Sequence, residues 1–177
     1  MNMSCRKSIS LTSLILTPWF ISAAPAFAAP KDSEVETLAK AYSGAQEKWF
    51  KKNKNPSQRD YTTHPIVGYM PKFKALAESK PRSAVAIDAM MWALENCKFL
   101  RYTNIEKKEE YYAWALKGLK TDFAADPAIE PKIKEFIDLP FHYGPAALGD
   151  VYEAIIKENP GKEAKAWAMV ALGVSLT

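Results

Sequence analysis

The stretch "LAESKPRSAVAIDAMMWALEN", residues 76–96, decides the fold. In its second half, residues 84–94, ten of the eleven positions are apolar and the exception is Asp88. A helix that is apolar nearly all the way round belongs in a protein interior. At 1.5 Å per residue these positions span only about 16 Å, far less than the hydrocarbon core of a bilayer. We therefore predict a central core helix in which Met90, Met91 and Trp92 are core residues.

Helical periodicity also runs through the rest of the chain. Ser33 and Glu36 have the spacing of a capping box, and an apolar stripe follows as far as Trp49. Further helices are predicted for residues 66–79, 84–96, 105–123, 131–138, 145–158 and 162–175, with Pro, Gly, Asn or Asp in the turns between them. No alternation of apolar and polar residues is long enough to predict a strand. The predicted fold class is all-α.

Two segments share one sequence pattern. In each, the end of a helix is followed by an X-Pro turn, the start of a second helix and the dipeptide Ala-Met. Pro81 and Pro160 are 79 residues apart, and the same offset carries Met90 onto Met169. A third X-Pro turn, at Pro127, divides this interval into spacings of 46 and 33 residues. These spacings are uneven but fall in the range of two-helix repeats such as tetratricopeptide and HEAT units. We predict antiparallel helical hairpins stacked as a short TPR/HEAT-like array, with an irregular helical bundle as the alternative. The repeat also predicts a second central helix over residues 164–172.

The first 28 residues are predicted to be a cleaved signal peptide, and residues 29–177 a single α-helical domain. Arg6 and Lys7 precede an apolar stretch, and Ala26-Phe27-Ala28 has the small-x-small form of a cleavage site. The alternative for this segment is an uncleaved amphipathic anchor. Cleavage near Ala28 places the protein in the periplasm or outside the cell.

Charge and cysteine content limit the kinds of partner. Removing Arg6 and Lys7 lowers the formal charge from +4 to +2, because residues 1–28 hold no acidic residue. A mild excess without a basic stripe and interleaved aromatics gives no case for nucleic acid. Cys97 is the one cysteine in residues 29–177, and its place at the end of the apolar helix predicts a buried, inert thiol. The basic end of the first helix is interpreted as a solvated loop, with an anionic partner or lipid headgroups as the alternative: Lys48, Lys51, Lys52 and Lys54.

Few residues have the type and spacing that catalysis or metal binding needs. There is no His-x-x-x-His, no Cys-x-x-Cys and no dense carboxylate loop, so we predict no metal, no cofactor and no catalytic residue. Asp88 and Glu95 are two helical turns apart and are interpreted as the wet edge of the core helix. His64, directly before Pro65, is predicted to be a solvated turn residue.

Two aromatic clusters remain as a candidate interaction surface. They are Tyr111-Tyr112-Ala113-Trp114 on a helix and Phe141-His142-Tyr143-Gly144 in a loop. Repeat arrays often bind ligands on a concave surface lined by such residues. Packing between helices is the competing interpretation, with Tyr111 or Trp114 as the residue left exposed. The residues assigned to the candidate surface are Tyr111, Trp114, His142 and Tyr143.

The order "ALAESKP…AIDAMMWALEN" followed by "AIIKENPGKEAKAWAMVALG" resembles a helical region found in some exported bacterial proteins. There it precedes a thioredoxin-fold redoxin domain of the peroxiredoxin and thiol-disulfide oxidoreductase type. The resemblance covers roughly residues 35–176. In that family the chemistry belongs to the redoxin domain, so no catalytic residue is carried over to this chain. The resemblance implies either a stand-alone helical module or a truncated reading frame.

Three hypotheses about function follow. The first is an exported, non-enzymatic module for protein–protein interaction or scaffolding, with a thioredoxin-like protein as the expected redox partner. The second is an accessory part of a thiol-redox enzyme system that uses Cys97 or a separate redoxin chain. The third is a helical domain that binds a small ligand or lipid, which predicts an apolar cavity beside Tyr111, Trp114 and Trp167. The oligomeric state is left open.

Overall fold

Helices joined by short turns make up the part of the chain that the computed structural model describes, residues 33–134 and 148–175. No strand occurs in these two ranges, so the predicted all-α fold is confirmed. The expected signal peptide (residues 1–28), His142 and Tyr143 lie outside the described residues. The α-helices are α1 (Glu34–Lys52), α2 (Ile66–Ser79), α3 (Ala84–Asn96), α4 (Ile105–Gly118), α5 (Gly149–Glu158) and α6 (Lys162–Ser175).

Side-chain caps set the starts of α1 and α3. The Ser33 hydroxyl accepts a hydrogen bond from the backbone N–H of Glu36 at 3.1 Å, and the Glu36 carboxylate accepts one from the backbone N–H of Ser33 at 2.8 Å. At α3, the Ser83 hydroxyl accepts from the backbone N–H of Ala86 at 3.2 Å. Both predicted caps are confirmed, since each satisfies an N–H group that has no partner within its helix.

Helix α3 lies at the centre of the core. It packs against α1, α2 and α4, which together cover the apolar residues on several of its sides. The predicted core position of Met90 and Met91 is therefore confirmed. None of the described helices combines the length and the apolar character that crossing a membrane requires. The buried residues of α3 are Ala86, Ile87, Ala89, Met90, Met91, Ala93 and Leu94.

The indole of Trp92 joins α3 to both α1 and α2. It stacks on the ring of Phe73 in α2, with ring centroids 3.5 Å apart and planes 7° from parallel. It also makes an edge-to-face contact with the ring of Tyr42 in α1, with ring centroids 5.0 Å apart and planes at 89°. Burial raises the pKa of Tyr42 above its ordinary value, because the phenolate would lose its hydration there. Trp92 contacts both hydrophobic clusters of the core and connects them, although part of its own surface remains exposed.

The core continues beyond α4 into a π-helical turn, Leu119–Phe123, that follows α4 directly. Leu119 and Phe123 are fully buried. They end the apolar stripe that the sequence predicts for residues 105–123, so this part of the stripe is confirmed as a core-facing side.

Buried Asn159 connects the turn between α5 and α6 to the end of this π-helical segment. Its side-chain amide donates to the backbone carbonyl of Ala124 at 2.8 Å. Its side-chain oxygen accepts from the backbone N–H of Gly161, also at 2.8 Å. A buried amide with partners on both sides holds the two turns in a fixed register.

The predicted equivalence of α3 and α6 is wrong at its central position. Met90 is 6% exposed, whereas Met169, its counterpart in the repeat, is 56% exposed. The neighbouring Val170 is also exposed. Helix α6 packs on α5 through Ala164, Ala168 and Ala171, so it buries one side and does not have neighbours around its whole circumference. The repeat therefore predicts the hairpin turn but not the burial.

Replacement of Trp92 by Ala should destabilise the protein by about 3–5 kcal/mol, because it removes the ring that fills the space between Phe73 and Tyr42. Trp167→Ala is the matched control, since Trp167 is also half-buried but lies on α6 with Lys134 over its ring. Denaturant unfolding followed by circular dichroism measures both variants. Equal losses for the two tryptophans would contradict the central position of Trp92.

Candidate functional site

The two described residues of the predicted interaction surface, Tyr111 and Trp114, are neighbours about one turn apart on α4 but line different grooves. Asn104 starts this helix by accepting a hydrogen bond from the backbone N–H of Lys107 at 2.9 Å. Tyr111 is buried, whereas Trp114, three residues further on, is half-buried. Trp114 is therefore the residue of this pair that remains accessible to a partner. His142 and Tyr143, the other two residues of the predicted surface, lie outside the described residues.

A groove of about 560 Å³ runs beside Trp114, between the α2–α3 turn and the C-terminal part of α4. We call it the Trp114 groove. Its floor is apolar and its rim is polar, which is the arrangement common in ligand and peptide sites. Its lining residues with apolar side chains are Ala77, Pro81, Ala86, Met90, Trp114 and Phe123, and those with polar or charged side chains are Glu78, Arg82, Lys117, Thr121 and Asp122.

The floor of the groove depends on Gly118. A methyl group at this position would lie 2.5 Å from Cε and 2.7 Å from Sδ of Met90, so glycine permits the close approach of α4 to α3. The Met90 thioether is flexible and polarisable, and such side chains adapt to ligands of different shape. Sequence reasoning missed this pair; a glycine inside an otherwise helical pattern was the available signal.

Charges of both signs surround the opening of the Trp114 groove. Arg82 and Lys117 provide the positive charges, and Glu78 and Asp122 the negative ones. All four side chains are exposed. Arg82 has a φ of +56°, so the left-handed backbone at this residue makes the turn that brings it to the rim. Mixed charges around an apolar floor suit a ligand that itself carries both charges, as a peptide segment does.

Tyr111 borders a second, smaller groove of about 280 Å³. That groove is lined by residues from α2 and from the chain between α3 and α4, including Val67, Pro71 and Leu100. Tyr111 and Trp114 therefore do not share one concave surface. Both residues contact the hydrophobic cluster that contains Tyr42, but Trp114 lines the larger groove and Tyr111 the smaller one.

Trp167 does not join either groove. Its indole N–H donates to the Glu163 carboxylate at 3.4 Å, and the Lys134 ammonium lies 4.7 Å from its ring centroid. The single apolar cavity that the third hypothesis expects beside Tyr111, Trp114 and Trp167 is therefore not formed by these residues. They lie instead at two half-open grooves and on a separate helix.

The prediction that His64 is solvated is wrong, because this residue is only 1% exposed. Rings from α1 and from the 3-10 turn Cys97–Tyr102 enclose it, with Trp49 at 4.8 Å and Phe99 stacked at 5.4 Å between centroids. Its Nδ1 accepts a hydrogen bond from the backbone N–H of Ile66 at 3.2 Å, so the ring proton lies on Nε2. Nε2 has no hydrogen-bond partner among the described residues. Burial lowers the pKa of His64.

Cys97 lies in the core, as predicted. Its side chain is fully buried, and its Sγ donates to the backbone carbonyl of Leu94 at 3.4 Å. A thiol buried in the core is protected from reagents in solvent. This position argues against the version of the redox hypothesis in which Cys97 itself reacts.

Asp88 and Glu95 line a shallow groove of about 330 Å³ beside Trp92. The Asp88 carboxylate is paired with the Lys132 ammonium at 2.9 Å, with both side chains largely covered. Asp88 and Glu95 therefore lie on the more solvent-exposed side of α3, as the sequence predicts. Within residues 33–134 and 148–175, no group of three or more His, Cys, Asp or Glu side chains has an arrangement that would hold a metal ion.

Comparisons with protein-family models, with curated proteins and with solved structures found no match for this chain. The function of this chain is therefore inferred from its own residues and from the resemblance seen in its sequence. Among those residues, the Trp114 groove combines accessibility, an apolar floor and charged groups at one place.

The burial of His64 predicts a loss of stability in acid. Because its pKa in the folded protein lies below the ordinary value of about 6.5, the unfolded chain binds the proton more readily. The free energy of unfolding should therefore decrease as the pH falls through about 6.5 and below. At higher pH His64 is neutral in both states and should add no pH dependence. Denaturant unfolding at a series of pH values measures this dependence.

The matched variant is His64→Asn, whose side-chain oxygen can accept from the N–H two residues on but does not titrate. It should be less stable at every pH and show a flatter pH dependence. The same slope in the variant and the parent protein would contradict a buried, neutral His64.

A protein comprising residues 29–177 has Cys97 as its one cysteine. Cys97 should react with an aromatic disulfide reagent at least about a thousandfold more slowly in the native protein than in denaturant. The physical reason is that the buried thiol must wait for an opening of the core. Absorbance of the released thiolate measures the rate, and the unfolded protein is the control. Rapid reaction without denaturant would restore Cys97 as a redox candidate.

Proposed function

We propose that the protein is an exported, non-enzymatic helical module that binds a segment of a partner protein in the Trp114 groove. The observation that carries the proposal is the accessible indole of Trp114 above an apolar floor at the meeting of three helices. Tryptophan is enriched among the residues that contribute most to protein–protein binding energy. Groove walls built on packed helices keep their shape, which lowers the entropy cost of binding.

The size of the groove supports a short peptide segment as the ligand. A volume of about 560 Å³ lies within the range of small-molecule sites and accommodates a few side chains. Apolar side chains of the partner would contact Trp114 and Pro81 above the buried floor of the groove. Its charged groups would meet Arg82 and Lys117 or Glu78 and Asp122. The proposed mechanism is recognition by shape and charge, with no chemical step.

The resemblance to regions that precede redoxin domains supports a thioredoxin-fold protein as the first class of partner to test. In that arrangement the partner supplies the reactive cysteine, and this chain supplies the docking surface. The burial of Cys97 favours this division of roles. The leader-like pattern of residues 1–28 supports export, which would bring the module into the compartment of such partners.

Selection of a random peptide library displayed on phage against immobilised protein tests the proposal. We expect enriched peptides with one or two large apolar residues flanked by charged ones. A labelled enriched peptide should bind at least about tenfold more weakly to Trp114→Ala, as measured by fluorescence polarisation, because truncating a central anchor typically costs at least this much. Trp167→Ala, which changes a half-buried tryptophan outside the groove, should bind as the parent protein does.

Thr121→Arg provides a second variant that blocks the groove from its exposed rim without removing a core side chain. It should weaken peptide binding while thermal unfolding remains close to that of the parent protein. Failure to enrich any peptide, or equal binding by Trp114→Ala, Thr121→Arg and the parent protein, would contradict the proposal.

A further inference from the structure

Two separate segments of the chain are basic and aromatic. Residues 48–63 contain five basic residues and one acidic residue, Asp60, and residues 97–104 contain two basic residues and no acidic one. Together they hold seven basic residues and one acidic, although the charge of residues 29–177 is only +2. The positive charge of the protein is therefore concentrated in these segments. Their aromatic residues are Trp49, Phe50, Tyr61, Phe99 and Tyr102.

The fold joins the two segments into one surface. Tyr61 of the first segment stacks on Tyr102 of the second, with ring centroids 4.9 Å apart and planes at 30°. Tyr61 also contacts Trp49 of α1 at 5.5 Å. Buried His64, next to the first segment, stacks on Phe99 of the second. We call the surface formed by residues 48–63 and 97–104 the basic aromatic face.

Two arginine guanidinium groups lie close to aromatic rings of this face. The Arg59 guanidinium lies 4.9 Å from the centroid of the Phe50 ring, and the Arg101 guanidinium lies 4.4 Å from that of Tyr102. Arg59 also donates to the backbone carbonyl of Asn53 at 2.9 Å. These contacts place cationic groups beside aromatic rings, where they remain charged and can meet an anionic surface.

Exposed apolar side chains lie in or next to the basic aromatic face. Among the described residues, five large hydrophobic side chains are markedly exposed, and three of them, Val67, Tyr102 and Ile105, belong to this region with exposures between 44% and 55%. Tyr102 is part of the basic aromatic face, and Ile105 follows residue 104 directly. Val67 lines the small groove together with Thr62 and Thr103, which belong to the two segments of the face. The other two, Met169 and Val170, lie on α6.

We propose that the basic aromatic face binds the surface of a bilayer that contains anionic phospholipids. The basic residues meet the headgroup phosphates, and Tyr102, Ile105 and Val67 enter the interface between headgroups and acyl chains. A nucleic acid or an unfolded acidic segment would neutralise the charge but offers little apolar surface to cover Val67 and Ile105. A lipid interface accommodates both the charge and the aliphatic side chains. This binding is peripheral and independent of the Trp114 groove.

Co-sedimentation of residues 29–177 with lipid vesicles tests the proposal. The protein should bind vesicles of mixed phosphatidylcholine and phosphatidylglycerol at least about tenfold more strongly than vesicles of phosphatidylcholine alone. Raising the salt concentration to about 0.5 M should weaken the binding, since exposed charges are then screened. Equal binding to both kinds of vesicle, or no binding to either, would overturn the proposal.

Two matched pairs of variants locate the binding surface. The double variant Tyr102→Ser with Ile105→Ser should lose most of the binding, whereas Met169→Ser with Val170→Ser, which removes equally exposed hydrophobic side chains from α6, should retain it. Lys52→Glu with Lys54→Glu should also lose binding, whereas Lys157→Glu with Lys162→Glu at the α5–α6 hairpin should retain it. Equal losses within each pair would overturn the assignment to this face.

Polyglutamate and a single-stranded oligonucleotide distinguish the other anionic partners. Binding to either polymer without binding to anionic vesicles would assign the face to an acidic protein or a nucleic acid and would overturn the lipid proposal. Circular dichroism and thermal unfolding of every variant confirm that the comparison is made between folded proteins.

Discussion

The packing of the Trp92 ring between Phe73 and Tyr42 is the contact on which the rest of the fold depends. Helix α3 is apolar on nearly every side, so it is stable only when other helices surround it. Trp92 contacts rings of both α1 and α2. Together with Tyr69, Tyr112 and Trp114 it packs against both hydrophobic clusters and joins them into one core. The short Pro81-containing turn then fixes the α2–α3 hairpin, and the close approach at Gly118 fixes α4 against Met90.

Both proposed binding surfaces follow from this centre. The Trp114 groove exists because α4 approaches Met90 at Gly118 while the α2–α3 turn remains separated from it by the groove. The basic aromatic face exists because the chain after α1 and the chain after α3 meet around buried His64. One surface suits recognition of a protein segment by shape, and the other suits an anionic interface by charge and exposed apolar groups. The two use different residues, so substitutions can separate their effects.

The sequence predicts those features that depend on local chemistry. The caps at Ser33 and Ser83, the core position of Met90 and Met91 and the burial of Cys97 follow from helix starts and apolar periodicity within a few turns. His64 was mispredicted because its surrounding loop is polar, while the rings that cover it come from distant residues such as Trp49 and Phe99. Met169 was mispredicted because repeated letters specify a helix but not how many neighbours it has. The sequence shows the basic end of the first helix, Lys48 to Lys54, but not its union with residues 97–104, because these segments are joined only where Tyr61 meets Tyr102.

Native-state hydrogen exchange tests the central position of α3 most directly. Backbone amides in a helix that the whole core surrounds exchange only through global unfolding, whereas amides in peripheral helices exchange through smaller openings. We predict that the slowest amides are those of Ile87 to Leu94, and that their exchange free energy equals the free energy of global unfolding measured with denaturant. Amides of α6 should exchange through openings of lower free energy, because α6 exposes Met169 and Val170. Slower exchange in α6 than in α3 would contradict this account.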